Sequence, residues 1–262
     1  MSVFDESLAL NAVGPGRWQG IASPRYEAVI GVFGGWTVAL LLKAVLDEPE
    51  ARGSPVSITV NFIAALPPGA DFVITVVRLG ATRSLAHWRC DLQLAGADSV
   101  AATAIVIMAS RRDSDTRTEA AMPDVPPPEV LAAFFPPFAK QPPLESRSPM
   151  PPPPFNKSDT RTLSWERDAS GRAIDVLTLA LLSDLGAPRV YLVSPGPRPS
   201  ATLTLSVTFL AGPDELAACG DDFILADMIA TRIEQSTVGS RKDMWSRAGT
   251  LLATSEQLCW FR

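Results

Sequence analysis

The sequence predicts an α+β fold made of two tandem units, each an antiparallel sheet wrapped around a central helix. Three observations carry this. First, GVFGGWTVALLLKAVL (residues 31–46) is apolar almost all the way round past its glycine pair, with Thr37 and Lys43 as its polar positions. A helix without a polar face must be covered on most sides. Second, the following sixty residues or so alternate polar and apolar side chains with the two-residue period of half-buried strands. Third, the pattern occurs twice: TLALLSD (178–184) lies on TVALLLK (37–43), TLSVTFLA (204–211) on SITVNFIA (57–64), and LLATSEQL (251–258) on VAATAIVI (100–107). The offsets of 141, 147 and 151 residues keep one order, the signature of a duplication.

Taken in order, residues 1–25 read as an opening strand and turn, punctuated by Gly14, Pro15, Gly16 and Pro24. The helix that follows is too short, at about 1.5 Å per residue, to cross a bilayer, and is expected to be buried in protein. In VSITVNFIAALPPG (56–69), Ile58, Val60 and Phe62 oppose Ser57, Thr59 and Asn61 until Pro67, Pro68 and Gly69 end the strand. Residues 71–80, 81–96 and 98–108 repeat that pattern, and turns at Gly80 and Gly96 make the group an antiparallel meander. Thirteen of the 24 prolines fall in residues 111–154, where the alternation stops. Proline removes ladder donors, so this stretch is expected to be a surface connector, with VLAAFFPPF (130–138) packing down as a short helix or lid. The expected units are residues 1–111, a connector 112–154, and residues 155–262.

Composition excludes several functions. With 47% apolar residues the chain can build a sizeable core, and a net charge of −5 without charged blocks gives nucleic acid or an anionic membrane nothing to hold. The N-terminus lacks a basic start and apolar run, and no window of eighteen apolar residues follows, so a cytoplasmic location is expected. Cys90, Cys219 and Cys259 are odd in number and widely spaced, hence expected as buried free thiols. The single histidine, His87, has no acid at a dyad spacing, which argues against a Ser/His/Asp triad, and with Cys90 alone it makes no metal site. FGGW is not a dinucleotide-binding glycine pattern. The six tryptophans are expected in the core and lining a pocket.

The segments VFGGW, ATLTLSVTF and GTLLATSEQLCWFR, set in this repeated helix-and-meander plan, resemble the type II acyl-CoA thioesterases, which are double hot-dog proteins. The resemblance spans nearly the whole chain apart from the proline-rich stretch. It implies hydrolysis of acyl-CoA by an oriented water, with an Asp after the second helix, a Thr at the start of the next strand and a Gln on the last strand. Those roles fall on Asp184, Thr202 and Gln257, and substrate binding falls on Gly34, Gly35 and Trp36. The family usually carries Gln where this chain has Trp36, which bears on the approach of the acyl group or CoA. No covalent intermediate, cofactor or metal is expected, acyl-CoA is the expected partner, and self-association into a homo-oligomer is expected too. The alternative is a non-catalytic acyl-CoA or lipid-binding protein on the same fold.

Residue chemistry adds its own argument. A carboxylate at the negative end of a helix is locally unfavourable, so Asp184 is either a solvated end residue before Gly186 and Pro188 or a base with a raised pKa. Thr202 starts a polar strand face continued by Thr204, Ser206 and Thr208, and by pattern alone is exposed. Gln257 lies in a largely apolar strand, where a buried amide needs partners. The repeat places Lys43, Pro55 and Val106 at the corresponding positions of the first half, while Gly34 and Gly35 fall opposite Asp175 and Val176. One composite site is therefore expected. The glycines serve either close packing or a carbonyl-polarising helix N-terminus.

Overall fold

The computed structural model describes residues 2–134, 144–149, 157–196 and 198–262. A capped turn of helix, α1 (Val3–Ser7), precedes a hairpin of β1 (Asn11–Gly14) and β2 (Arg17–Ile21), so the opening is a helix and two strands where one strand was expected. The Ser2 hydroxyl accepts from the Asp5 N–H and the Asp5 carboxylate accepts from the Ser2 N–H, closing a capping box that the pattern of apolar residues does not reveal. Helix α2 (Gly34–Leu46) follows, then β3 (Ser54–Phe62), β4 (Asp71–Ala81), β5 (Leu85–Leu94) and β6 (Val100–Ala109). Gly96, at φ +77°, takes the turn between β5 and β6 as expected. Gly80 does not make a turn: it sits within β4 at a register shift, and the chain reverses at residues 82–84, where the Thr82 hydroxyl accepts from the Ser84 and Leu85 N–H groups.

The second half holds β7 (Ala133–Phe134), β8 (Leu144–Arg147), β9 (Thr162–Asp168), α3 (Val176–Leu182), α4 (Arg189–Val193), β10 (Ser200–Phe209), α5 (Pro213–Cys219), β11 (Ile224–Glu234), β12 (Thr237–Trp245) and β13 (Leu251–Phe261). The strands order as β1-β2-β4-β5-β6-β3-β10-β13-β12-β11-β9-β8-β7 in one antiparallel sheet. Read outward from the central β3–β10 pair, each strand as far as β1 and β8 meets its repeat, and β7 at the far edge is an addition of the second half. Thr59 and Ser206, 147 residues apart, sit opposite each other there with their hydroxyls 3.0 Å apart, so the approximate twofold axis passes between them. Strands β8 and β9 are thus the counterparts of β1 and β2. Residues 112–154, expected to carry no strand, contain β7 and β8, whose pairing is fixed by the neighbouring edge and not by their own short sequences. Of the apolar stretch 130–138, Ala133–Phe134 forms β7, and residues 135–138 lie outside the described residues.

Both helices lie inside the curled sheet and pack on each other. In α2 every residue from Trp36 to Leu42 is buried, and each such Leu or Val contributes about 1.5–3 kcal/mol. The helix ends where Lys43 pairs with Asp47 one turn on, just before Pro49. Helix α3 is equally buried but shorter, capped by Asp175, which accepts from the Thr178 N–H and is held by Arg172. Arg172 also bonds Asp5, tying α1 to the second half. No helix among the described residues is long and apolar enough to cross a membrane.

Between the halves, Arg111 donates to the carbonyls of Phe209 and Leu210, and Met122 packs on a small apolar cluster around Trp165 and Trp245. Residues 114–119 between these anchors are exposed. Deleting residues 114–119 is expected to leave the unfolding temperature within about 2 °C, because loop length enters stability only logarithmically. A collapse in soluble yield or a larger fall in the thermal midpoint would show that the segment is packed.

Candidate active site

Four elements converge at one end of the helix pair. Helix α3 stops at Leu182 and the chain turns, placing Asp184 beside the N-terminus of α2. Strand β13 presents alternate residues inward, Ser255, Gln257 and Cys259 among them, which puts the Gln257 amide under the same point. Strand β10 would by simple alternation turn Thr202 outward with Thr204. A bulge prevents this: Thr202 pairs with Cys259 and Thr204 with Leu258, so Leu203 is the extra residue and Thr202 faces inward. The first half has the matching bulge between Pro55 and Ser57.

The contacts are short and specific. Gln257 Nε2 donates to Asp184 Oδ1 at 2.6 Å and to Thr202 Oγ1 at 2.8 Å. Since an ionised carboxylate only accepts, the amide nitrogen and not its oxygen must face Asp184. The Gly35 N–H donates to Asp184 Oδ2 at 3.0 Å. With its oxygen accepting from Gln257, the Thr202 hydroxyl keeps a proton to give, and Cys259 Sγ lies 3.7 Å from it. Burial pushes the Asp184 carboxyl up to about 6, against the opposing influence of the Gly35 N–H, the Lys242 ammonium and the Gln257 amide. That is where a base working near neutral pH is ionised yet still proton-hungry.

These groups border a cleft of about 350 Å³. Asp184, Thr202 and Gly34 line it, with Phe33, Phe62 and Thr37 supplying further wall. Val29 and Ile30, in the loop leading to α2, also line it while 67% and 55% exposed. Gln257 is not among the lining residues; it stands behind Asp184 and Thr202 and spends both amide hydrogens on holding them. The loop and the Phe33 and Phe62 rings escaped sequence reasoning, although the run AVIGVF ahead of the glycines is apolar where a connecting loop is usually polar.

Both glycines are required by closeness. A Cβ at Gly34 would lie 2.6 Å from Asp184 Oδ2, and one at Gly35 would lie 2.1 Å from the Leu181 carbonyl oxygen. Packing and chemistry are the same feature here: bare backbone lets α3 approach α2 until the Gly35 N–H reaches the carboxylate. That amide is committed to Asp184, so it does not itself polarise a substrate carbonyl.

Trp36, expected to bind substrate, is fully buried and outside the cleft. Its Nε1 donates to Ser7 Oγ at 2.9 Å, and its ring packs on Tyr26 and Phe72. One residue past Gly35 the helix has rotated by about 100°, which turns this side chain from the site into the core. None of the six tryptophans lines the cleft, and Trp260 is 37% exposed. His87 is exposed on β5. Cys90 and Cys259 are buried free thiols as expected, whereas Cys219 is half-buried. Among the described residues no cluster of His, Cys, Asp and Glu could hold a metal. At the places corresponding to the trio, Lys43 pairs with Asp47, and Pro55 and Val106 are buried.

Comparison with known proteins bears on what this arrangement serves. The family model described as the acyl-CoA thioesterase N-terminal domain matches residues 22–109, and the C-terminal domain model of that family matches residues 115–261. Among curated proteins none matches the sequence. Among solved structures, a conserved protein of unknown function with a hot-dog fold from Alicyclobacillus acidocaldarius is 34% identical, with a TM-score of 0.94 over 100% of this chain and 98% of its own. A putative thioesterase II from Thermobifida fusca is 19% identical, with a TM-score of 0.85 over 100% and 98%. A tesB protein of Mycobacterium avium subs. paratuberculosis is 22% identical, with a TM-score of 0.80 over 99% and 98%. The fold is therefore the double hot-dog.

Proposed function

Because this chain belongs to the acyl-CoA thioesterase family, spanned through both of its domain models, we propose that it hydrolyses acyl-CoA to the free acid and CoA by direct attack of a water held between Asp184 and Thr202. The observation that carries this reading is the half-buried Asp184 carboxylate, oriented by Gln257 and the Gly35 N–H at the wall of an apolar cleft. Asp184 accepts a proton as the water oxygen attacks the thioester carbon. Thr202 fixes that water from its other side, and Gln257 fixes Thr202 and Asp184 relative to one another. The carbon–sulfur bond then breaks, and the CoA thiolate takes up the proton. The positive end of α2, whose Gly34 lines the cleft, lowers the energy of negative charge gathering on the carbonyl oxygen. The chemistry uses no covalent intermediate and no cofactor. The acyl chain lies against Val29, Ile30, Phe33 and Phe62.

A purely binding role drew its support from Trp36 standing where the family usually has Gln. Trp36 is fully buried and does not line the cleft, which supports hydrolysis over binding alone. A ladder of CoA esters from acetyl to palmitoyl, with free thiol as readout, is the direct test: hydrolysis of at least one length is expected, and none at any length would overturn the reading. The pH dependence is a second check. A base must be ionised to act, so kcat/KM is expected to rise through a midpoint near pH 6 and then level off. A flat profile from pH 4.5 to 8 would remove Asp184 from the role.

We also propose that the chain self-associates. Val77 and Ile105 stand exposed in one row across the outer face of the first half, with Arg89 between them. A mixed apolar and charged strip of this kind suits a symmetric contact between copies.

A further inference from the structure

We infer that Lys242 is a positioning residue of this site, a buried ammonium that pins the turn carrying Asp184; the inference rests on the assignment of Asp184 as the base. Lys242 is 1% exposed, on the inward face of β12. Its Nζ donates to the carbonyls of Leu182 at 2.6 Å and Leu185 at 2.8 Å and to Glu166 Oε2 at 2.7 Å. An ammonium has three hydrogens, and here each has an acceptor. Two of those acceptors bracket Asp184 in sequence. The Ser255 hydroxyl donates to the carbonyl of Ser183, so the carbonyls on both sides of the base are tied down.

The duplication shows that a contact of this kind occurs in both halves but that the cation is specific to the half carrying Asp184. Lys242 pairs with Ser255 across β12 and β13, just as Cys90 pairs with Ala104 across β5 and β6, and Ser255 and Ala104 are repeats of each other. Cys90 is therefore the counterpart of Lys242, and its Sγ reaches the Leu41 carbonyl at 3.6 Å, where Leu41 is the counterpart of Leu182. One carbonyl in each half receives a donor from the sheet. In the first half the donor is a weak thiol, and α2 runs on to Leu46. In the second it is a cation, and α3 ends at Leu182, which frees Asp184 from the helix to face Gly35.

Glu166 follows the same logic. It pairs with Ile224 as Gly20 pairs with Phe72, so a carboxylate stands in the second half where the first has a glycine under an aromatic ring. A buried cation needs a counter-charge, and Glu166, 2% exposed, supplies it. Burial alone pushes Glu166 up and Lys242 down, and each opposes the other's shift. The Ser164 hydroxyl donates to the other carboxylate oxygen. Among the described residues, the ionisable groups acting on Asp184 include Lys242 on β12 and Cys259 on β13, with Glu166 of β9 and Arg189 of α4 beyond Lys242; Tyr191 of α4 lines the same cleft, and α2 presents the Gly35 N–H.

The test replaces the pair by a neutral one, Lys242→Met with Glu166→Gln, and reads three quantities beside thermal unfolding. In the folded variant kcat is expected to fall about 10- to 100-fold, as an ångström-scale misplacement of a catalytic group does. KM for the CoA ester is expected to change less than about threefold, because Lys242 does not line the cleft. The Asp184 carboxyl, followed by NMR of 13C-labelled aspartate, is expected to titrate at higher pH than in the wild type, since a cation that favours the carboxylate is gone. Cys90→Ala, which removes the matching contact in the first half, is expected to leave kcat and that midpoint unmoved. A folded double variant with wild-type kcat and an unshifted Asp184 midpoint would overturn the inference. If the wild type hydrolysed no CoA ester, the catalytic reading would fail, while the titration shift would still decide whether Lys242 acts on Asp184. Should the neutral pair not fold, Lys242→Arg takes its place: it keeps the charge but cannot reach the same three acceptors, so a loss of kcat without a change in KM is expected, and wild-type kcat in the folded Arg variant would overturn the inference.

Discussion

Asp184→Asn is expected to lower thioester turnover by roughly 10² to 10⁴ while leaving the fold and CoA ester binding in place, because the substitution keeps the side chain's shape and removes only the proposed base. The loss belongs in kcat. Gln257 and the Gly35 N–H hold the native carboxylate from two directions, and an amide retains a carbonyl for one of them while Gln257 reverses to suit the other. The same variant carries a stability signature of the opposite sign. Burial raises Asp184 to about 6 from an ordinary 3.8, so its contribution to stability is fully present below pH 4 and is lost as pH rises through about 6. At pH 8 the wild type therefore bears a penalty of up to about 3 kcal/mol that the Asn variant escapes. Thermal melts at pH 5 and pH 8 should show the variant gaining on the wild type at the higher pH. Lys43→Ala, at the corresponding place in the first half, should leave turnover almost unchanged. If Asp184→Asn kept more than about a tenth of wild-type turnover, the general-base mechanism would be wrong.

Gly34→Ala and Gly35→Ala, adjacent and chemically identical changes, should fail in different ways. In a helix, Ala is favoured over Gly by about 1 kcal/mol, so propensity alone would make both stabilising. Geometry overrides it. The Cβ at position 35 would sit 2.1 Å from the backbone oxygen of Leu181 and 2.7 Å from the Phe33 ring, and neither α3 nor its carbonyl can step aside without unpacking the helix pair. Overpacking a core of this kind costs about 1–3 kcal/mol, and backbone contact places Gly35→Ala at or beyond the upper end. It should melt several degrees lower and lose activity with its fold. At position 34 the obstacle is the Asp184 carboxylate itself at 2.6 Å, the end of a side chain that can rotate away. Gly34→Ala should stay folded, with a thermal midpoint close to wild type, and lose about 10² in kcat because the base has moved. Equal melting temperatures and equal activities for the two variants would contradict this division.

Much of this was legible from residues alone. A helix apolar on all sides has few places to go in a soluble chain, and Trp36 to Leu42 are indeed buried inside a sheet. The internal repeat was legible because both halves solve one packing problem with one pattern, and the Thr59–Ser206 axis shows the alignment was in register. The chemistry of Asp184 was half legible, since a carboxylate past a helix end is unfavourable there and calls for a compensating partner. That partner, the Gly35 N–H, lies 149 positions away in the chain.

Residue pattern alone specifies the central helix and meander of each half, their duplication and the asymmetry that leaves one half with Asp184, Thr202 and Gln257 and the other with the glycine-opened helix. It could do so because hydrophobic period and residue type are local properties, felt within a turn or a strand. Which way the site's side chains face follows from tertiary packing. Thr202 reads as outward by alternation and turns inward because a bulge, defined by its pairing with β13, inserts Leu203. Trp36 adjoins the glycines in sequence but points into the core. Lys242 looks like an ordinary strand lysine until the end of α3 is placed beneath it, where its three hydrogens meet Leu182, Leu185 and Glu166. Each of these orientations is set by contacts between residues dozens to more than a hundred positions apart, and no local period encodes the partner on the other side.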